Sequence, residues 1–283
     1  MSRATVSRVA APGRLGQMLL SAVTFIIAGI WAFPLYWLLV TSFKTQREIV
    51  GSELTLWPRR FTFEAYTFIL ENTPIIVWYF NSFVIAISMT ILIVGMSAAC
   101  AYAISQLRFP GRSLLWALII ASFMMPYQAL IVTQFNLVSS IGLINTYPGI
   151  ILPQLILPVT VIVYKNFFDS VPKDFREAAS LDGANHLHLL FKLYLPMNWG
   201  TTIALAIITF IGSWNAFLWP FLATTTEDMM PIAVGITKVQ GSFVTNYSRV
   251  LAAAVLTGLP VVVIYMLLQR RVTEAITLSA GIK

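Results

Sequence analysis

Long runs without a charged residue are the feature that most constrains what this chain can fold into. The charged residues leave five uncharged stretches, which cover positions 15–43, 72–107, 113–164, 193–226 and 250–269. A helix that crosses the hydrocarbon core of a bilayer needs about 20 mostly apolar residues. Four of the stretches are therefore suited to one such helix each, and the longest stretch is suited to two.

A turn near the middle of the longest stretch divides it into those two helices. Positions 139–142 and 145–149 carry the Ser, Gly, Asn and Pro residues that are typical of turns. Strands of a transmembrane barrel would be runs of about ten residues with alternating polarity, whereas these runs are longer and continuously apolar. The sequence therefore predicts an all-α, polytopic membrane protein. Its six predicted transmembrane helices are 17–43, 78–106, 113–135, 147–168, 199–220 and 250–269.

The composition supports a membrane protein and argues against a soluble one. Hydrophobic residues make up 58% of the chain and charged residues 10%, whereas roughly 25% of the residues in a soluble globular protein are charged. The net charge of +7 accompanies no basic stripe with interleaved aromatic residues, so we expect no nucleic-acid partner.

The positions of the basic residues predict the orientation. An even number of spans places both termini on one side, and positive residues favour the cytoplasmic side of a membrane. Of the 18 Lys and Arg residues, 12 lie on the side of the termini, so both termini are predicted to be cytoplasmic. These residues are Arg3, Arg8, Arg14, Arg108, Arg112, Lys165, Lys173, Arg176, Lys192, Arg270, Arg271 and Lys283.

The predicted organisation is a cytoplasmic tail at 1–16, a six-span domain at 17–270 and a cytoplasmic tail at 271–283. The segment 1–16 is short and basic, and the first span is longer than the apolar region of a signal peptide. We therefore expect this span to be kept as a membrane anchor and not cleaved. Prolines lie within the predicted spans and are expected to kink them, because proline removes a backbone hydrogen bond. They are Pro34, Pro126, Pro153, Pro158 and Pro260.

The chain carries no pattern that predicts catalysis, a cofactor or a metal site. Cys100, the single cysteine, has no partner for a disulfide bond. His186 and His188 are two positions apart, so on a helix they would point to different faces. No Gly-x-x-x-x-Gly-Lys-Ser/Thr phosphate loop is present, and no nucleophile, base and acid set can be recognised. We therefore expect no catalytic residue, no cofactor and no enzyme activity in this chain.

The loop at 169–198, between the fourth and fifth predicted spans, is the only sizeable cytoplasmic segment. Pro172 suits the first turn of a helix, and Ser170 is a candidate cap just before it. Asp174 and Glu177 follow near the amino end, where the helix dipole favours acidic side chains. The pattern predicts a helix over 173–181.

Small residues form one face of this predicted helix. Phe175, Ala178 and Ala179 stand at i, i+3 and i+4, so the small side chains would let another surface approach closely. Gly183 is expected to end the helix, and Asn185 to cap a second one. Physical reasoning leaves two interpretations open: an amphipathic hairpin on the membrane surface, or a docking element for a soluble partner.

The same loop resembles the EAA loop of the membrane subunits of bacterial binding-protein-dependent ABC importers. The resemblance lies in Glu177, Ala178 and Ala179, followed by Gly183, Leu193, Leu195 and Pro196. Asp182, Gly183 and Ala184 are similar to the version found in carbohydrate importers, although Leu193 replaces a more usual isoleucine. The resemblance to this family extends to four other segments, which are Asn81–Ser82, 101–103, 108–111 and 214–220. The length of the chain and its six-span layout are similar to those of the smaller permease of the maltose-type pair.

The resemblance implies a multi-pass permease subunit in the bacterial plasma (inner) membrane. It would form half of the translocation pathway for a sugar or a sugar-like solute such as a glycerol phosphate. The implied partners are a second, related permease, two ATP-binding-cassette ATPase subunits and an extracytoplasmic solute-binding protein. The implied ATPase-coupling residues are Glu177, Ala178, Ala179, Asp182, Gly183 and Ala184. The alternatives are a stand-alone six-helix channel or carrier that uses no ATP, and a membrane scaffold.

Uncharged polar residues are the candidates for solute contact, because the predicted spans hold no charged residue that would mark a pathway; Lys165 lies at the cytoplasmic end of the fourth span. Amides and hydroxyls beside aromatic rings suit a hydroxyl-rich solute, but they also bond neighbouring helices together in membranes. Both roles stay open for the polar candidates, which include Gln134 and Gln154. The candidate pathway residues are Asn81, Gln128, Thr209, Trp214 and Asn215.

Overall fold

The structure is a computed structural model that describes residues 14–51, 53–239 and 245–279, without the side chains of Leu268 and 270–279. Most of the predicted tail 1–16, with Arg3 and Arg8, lies outside the described residues, as does the end of the tail 271–283. Every regular element in the described part of the chain is helical. The α-helices are α1 (Arg14–Ser42), α2 (Gln46–Val50), α3 (Glu64–Asn72), α4 (Ile75–Gln106), α5 (Arg112–Met124), α6 (Ile131–Ser140), α7 (Tyr147–Ile151), α8 (Pro158–Asp169), α9 (Lys173–Leu181), α10 (His186–Leu189), α11 (Leu195–Met197), α12 (Trp199–Trp214), α13 (Leu218–Ala223), α14 (Ile232–Gly235) and α15 (Tyr247–Ser279).

Three helices are long and apolar enough to cross a membrane without a break. They are α1, α4 and the Tyr247–Leu267 part of α15, with 29, 32 and 21 residues. They overlap the first, second and sixth predicted spans. Pro34 and Pro260 lie inside α1 and α15, which continue through them.

Three further candidate spans are bent pairs of helices. Residues 112–124 and 127–140 meet at 96°, 147–154 and 158–169 at 50°, and 186–197 and 199–214 at 87°. The described part of the chain thus holds three candidate spans, or up to six if each bent pair is one span.

The bends explain where the predicted boundaries differ from the structure. The predicted third span, 113–135, runs across the break before Pro126 and stops inside α6, which extends to Ser140. The predicted fifth span, 199–220, combines α12, which ends at Trp214, with part of the separate helix α13. Proline supplies no N–H to continue a helix, so a charge-free run with an internal proline need not be one straight helix.

Three hydrophobic cores are stacked along α4. The upper core surrounds its beginning, and the lower core surrounds its end. Upper-core members include Ile69, Ile75, Trp78, Trp214, Ile232 and Ala252. Middle-core members include Ile85, Met89, Ile93, Val138, Ile150 and Trp219. Lower-core members include Ala101, Tyr102, Tyr164, Phe168, Leu189 and Tyr194.

One close approach fixes the upper core. A Cβ atom added at Gly235 in α14 would lie 2.2 Å from the Trp78 ring, so only glycine lets the two elements pack this tightly. The Trp78 indole N–H donates to the Glu227 carbonyl at 2.9 Å. The segment between α13 and α15 is therefore held against the beginning of α4.

Most of α1 lies outside these cores. Phe25 and Trp31 are each 78% exposed, and only the last three residues of the helix are buried. An apolar surface of this extent must be covered by lipid or by another protein chain.

Candidate functional site

The loop between α8 and α12 folds as the predicted pair of helices. α9 covers Lys173–Leu181, and Pro172 occupies the cap position immediately before it. Asn185 caps α10, because its side-chain oxygen accepts a hydrogen bond from the His188 N–H at 2.8 Å. The expected cap at Ser170 is wrong, since this residue ends α8 and its hydroxyl donates to the Phe167 carbonyl.

Gly183 ends α9 in a left-handed turn. Its φ angle is +79°, and its N–H donates to the Ser180 carbonyl at 3.1 Å. The Ala184 N–H donates to the Ala179 carbonyl at 3.0 Å. This pair of bonds is the Schellman arrangement, which satisfies the last carbonyls of a helix and favours glycine at the left-handed position. The angle between α9 and the chain that follows is thereby fixed.

One face of α9 packs on the body of the protein. Ala179 and Ala184 contact the lower core. The expectation that Ala178 and Ala179 share a face open to a partner therefore applies only to Ala178, because Ala179 is half-buried against the chain's own core. His186 continues this contact, with its Nδ1 atom 3.2 Å from the Tyr102 hydroxyl.

Arg176 joins α9 to the end of α4. Its Nη1 group donates to the Gln106 carbonyl at 3.1 Å and to the Gln106 side-chain oxygen at 3.3 Å. The last carbonyls of a helix lack partners within the helix and carry the negative end of its dipole. A guanidinium at this position donates hydrogen bonds to such a carbonyl and places a positive charge at the negative end of the dipole.

Further bonds join the end of α4 to α8. The Gln106 amide donates to the Phe168 carbonyl at 3.2 Å, and the Ser105 hydroxyl donates to one Asp169 carboxylate oxygen at 2.5 Å. The Lys165 ammonium donates to the other Asp169 oxygen at 2.5 Å and lies 4.7 Å from the centre of the Trp116 ring in α5. α4, α5, α8 and α9 are thus linked at one end of the molecule.

Sequence reasoning missed this network. Arg176 and Gln106 stand 70 positions apart, and Ser105 and Asp169 stand 64 apart. No periodicity or short motif encodes a contact at that separation. The one available signal is that these polar residues border the predicted spans on the side of the loop.

The opposite face of the loop is open and apolar. Leu181 is 90% exposed, Leu187 68% and Phe175 51%. The predicted residues Glu177, Ala178 and Asp182 are also exposed around this surface. We call the surface formed by Phe175, Ala178, Leu181 and Leu187 the coupling face. One side of α9 is thus fixed to the body of the protein, and large apolar side chains are exposed on the loop.

Two of the candidate pathway residues serve the packing of the chain. Asn81 is buried, with its amide donating to the Asp228 and Met230 carbonyls at 2.7 and 3.0 Å and its oxygen accepting from the Tyr147 hydroxyl at 2.6 Å. Trp214 is 1% exposed, and its indole N–H donates to the Thr257 carbonyl at 3.1 Å.

The other three candidates are divided between the interior and the surface. Thr209 is buried within α12. Asn215 is exposed at the break between α12 and α13, and Gln128 is exposed beside the bend between α5 and α6. At that bend the Gln154 amide donates to the Tyr127 hydroxyl at 2.8 Å, which joins the bent third and fourth candidate spans.

Metal binding receives no support from the described residues, among which no group of three His, Cys, Asp or Glu side chains could hold an ion. Cys100 is a free, half-buried cysteine in α4.

Comparison with known proteins identifies relatives along nearly the whole chain. Residues 5–277 match the family described as "Binding-protein-dependent transport system inner membrane component". The diacetylchitobiose uptake system permease protein NgcG of Streptomyces coelicolor is 33% identical over 265 residues, or 91% of this chain and 87% of that protein. The sn-glycerol-3-phosphate transport system permease protein UgpE of Yersinia pestis is 31% identical over 246 residues, or 84% and 88%.

The fold is also similar to that of a solved structure. One chain of a bacterial ABC transporter involved in the import of the acidic polysaccharide alginate superposes with a TM-score of 0.82. The match covers 92% of this chain and 99% of that chain, at 21% sequence identity.

Proposed function

This chain belongs to the family of binding-protein-dependent transport system inner membrane components, and from this premise we propose how it works as the permease subunit of an ATP-driven sugar importer. The resemblance first read from the residues around Glu177 is confirmed by this family match. The protein is a multi-pass protein of the plasma membrane. It forms one half of the solute pathway, and a second, related permease forms the other half.

The proposed topology has six spans with both termini in the cytoplasm. Three unbroken helices and three bent pairs support the number of spans. The loop end of α4, α8 and α9 carries Arg108, Arg112, Lys165, Lys173 and Arg176, and a surplus of basic residues is typical of the cytoplasmic side. The lower core therefore faces the cytoplasm, and the upper core faces the outside.

The coupling face carries the proposed function. An exposed leucine, Leu181, stands at the end of a helix whose other side is fixed by Arg176 and the lower core. A rigid apolar surface on the cytoplasmic side suits a groove on a soluble ATPase, and the chain itself has no phosphate-binding loop. Two ATPase subunits, one for each permease, would then drive transport.

The proposed solute is a sugar or a sugar-like molecule, received from an extracytoplasmic binding protein. Two relatives, permeases of a diacetylchitobiose uptake system and of an sn-glycerol-3-phosphate transport system, support this class. The family description supports the dependence on a binding protein.

Co-purification tests the coupling face. Leu181→Gln should greatly reduce recovery of the ATPase with the permease pair, because an apolar contact at a 90% exposed side chain is replaced by an amide. Leu54→Gln is the matched control, since Leu54 is 81% exposed near the upper core. Equal ATPase recovery in both variants would contradict the proposed docking surface. Solute uptake by the purified chain without any ATPase would favour the stand-alone channel or carrier.

A further inference from the structure

A cavity of about 380 Å³ lies near the upper core, far from the coupling face. It is bordered by the end of α1, by α2 and the segment that follows it, and by the beginning of α15. Its volume lies within the range of about 300–1,000 Å³ that is usual for small-molecule sites. The lining side chains that bear on its chemistry are Trp37, Thr41, Lys44, Glu48, Glu53 and Tyr247.

Lys44 brings a buried cation to the wall of this cavity. The residue is 3% exposed, and its ammonium lies 4.6 Å from the centre of the Trp37 ring. It donates one hydrogen bond, to the Thr55 carbonyl. An ammonium group has three N–H donors, so this lysine keeps capacity for a further acceptor.

Thr41 is an unpartnered polar group on the same wall. It is 3% exposed, and its hydroxyl oxygen makes no hydrogen bond within the described part of the chain. The neighbouring Ser42 hydroxyl shows the usual behaviour, since it donates to the Leu39 carbonyl at 2.7 Å and lies 2.6 Å from the Tyr66 hydroxyl. Buried hydroxyls nearly always have a partner. A ligand hydroxyl in the cavity would supply one.

Glu48 supplies an ionised acceptor. Burial raises the pKa of its carboxyl, but hydrogen bonds from the Arg59 N–H and the Thr55 hydroxyl lower it. The nearby Lys44 ammonium lowers it as well, and the net pKa lies below the usual value. The group is therefore a carboxylate at neutral pH and can only accept hydrogen bonds.

The charges that border the cavity are balanced. Lys44 is offset by Glu48, and the second carboxylate on the wall, Glu53, forms an exposed ion pair with Arg59. An anionic headgroup or phosphate would meet both carboxylates, whereas a neutral molecule would meet donors and acceptors without a net charge. Aromatic surface from Trp37 and Tyr247 adds the apolar contact that the ring face of a sugar requires.

We propose that this cavity is a binding site for a neutral mono- or disaccharide, on the outer face of the permease. The ammonium of Lys44 and the hydroxyl of Thr41 bond the hydroxyl groups of the sugar, and Glu48 accepts a bond from another. The choice of a sugar rests on the proposed function, but the site is separate from the bent spans and from the coupling face.

Ligand-detected saturation-transfer NMR on the complete transporter complex tests the site. The complex is placed in nanodiscs of zwitterionic lipid without its binding protein, and glucose, maltose, glucuronate and sn-glycerol-3-phosphate are the probes. We expect the two neutral sugars to bind more tightly than the two anions. Thr41→Val keeps the shape of the side chain and removes the hydroxyl, so it should weaken sugar binding about 3- to 10-fold.

Matched variants separate the site from general damage. Thr67→Val removes a hydroxyl from α3 that bonds only backbone carbonyls of its own helix turn, and it should leave sugar binding unchanged. Tyr247→Ala is the second test variant. It removes aromatic surface from the cavity wall, and because Tyr247 is half-exposed, it allows the site to be tested even if Thr41→Val assembles poorly.

The outcomes distinguish this site from the proposed import. If ATP-driven sugar uptake proceeds while Thr41→Val and Tyr247→Ala bind sugars like the unmodified complex, the site is refuted and the transport function stands. If the two variants lose sugar binding in a complex that imports no sugar, the site stands and the proposed solute is refuted. The assignment to a neutral sugar would be overturned if either anion bound more tightly than the neutral sugars. It would also be overturned if the complex retained a phospholipid in place of sugar and Lys44→Met released that lipid.

Discussion

Replacing Arg176 by glutamine should release α9 from the end of α4. In the native protein the guanidinium donates to both oxygens of Gln106, at 3.1 and 3.3 Å, and lies at the negative end of a long helix. Glutamine is shorter and uncharged, so neither charge-assisted bond can form with the same geometry. The contact between Ala179 and the lower core remains. We therefore expect α9 to become looser while the rest of the protein stays folded.

The size of the effect follows from these two bonds. Hydrogen bonds that involve a charged group contribute about 1.5–3 kcal/mol each, but Arg176 is partly exposed and one of its two bonds is long. We therefore expect a loss of about 1–2 kcal/mol in the free energy of local opening, which is about a 5- to 30-fold change in the opening equilibrium.

Amide hydrogen exchange measures this opening directly, because protection of the N–H groups in 173–181 reports the local opening free energy. Protection in Arg176→Gln should fall by about the same factor of 5 to 30, and solute transported per ATP hydrolysed should fall with it. Arg176→Lys should restore part of both. Arg108→Gln is the control, since Arg108 borders the same region but does not bond α4 to α9. Unchanged protection in Arg176→Gln would refute this reasoning.

Four further predictions concern the loop between α8 and α12 and the polar residues of the spans. Ala179→Leu should overpack the lower core by roughly 1–3 kcal/mol and lower the thermal stability of the purified permease, whereas Ala178→Leu should leave the stability unchanged and reduce only ATPase co-purification. Gly183→Ala should cost about 1–2 kcal/mol, because its φ is +79° although the space for a Cβ is free, and should reduce ATPase recovery while the permease pair still assembles. Asn81→Leu should lower the yield of assembled complex because it leaves the Asp228 and Met230 carbonyls without their donor. Asn215→Ala should leave that yield intact and alter the solute preference measured in uptake assays if the exposed amide lines the pathway.

Local chemistry was enough to predict the structure of the loop between α8 and α12. The bounds of α9, the end at Gly183 and the cap at Asn185 all depend on interactions within a few residues of each other. Local chemistry could not predict which of the two alanines is covered. Ala178 and Ala179 are equally small, and only the position of the lower core decides which of them is covered.

The roles of the polar residues depended on distant segments. Asn81 was a candidate both for the pathway and for helix packing until its partners were known, and these lie at 147, 228 and 230. Pro34 and Pro126 show the same limit. The first lies inside a continuous helix and the second at a 96° bend, although each interrupts a similar apolar run. Neighbouring elements decide whether a helix continues past a proline.

The bonds at the two ends of α4 give the protein a direct connection between its faces. The helix is unbroken over 32 residues, or about 48 Å at about 1.5 Å per residue. At its upper end Trp78, Asn81 and Ser82 bond the backbone of 227–232. At its lower end Gln106 accepts a hydrogen bond from Arg176 of α9. Three other candidate spans are bent, by 96°, 50° and 87°. We therefore expect a displacement of α9 to reach the segment 227–232 through the continuous helix α4.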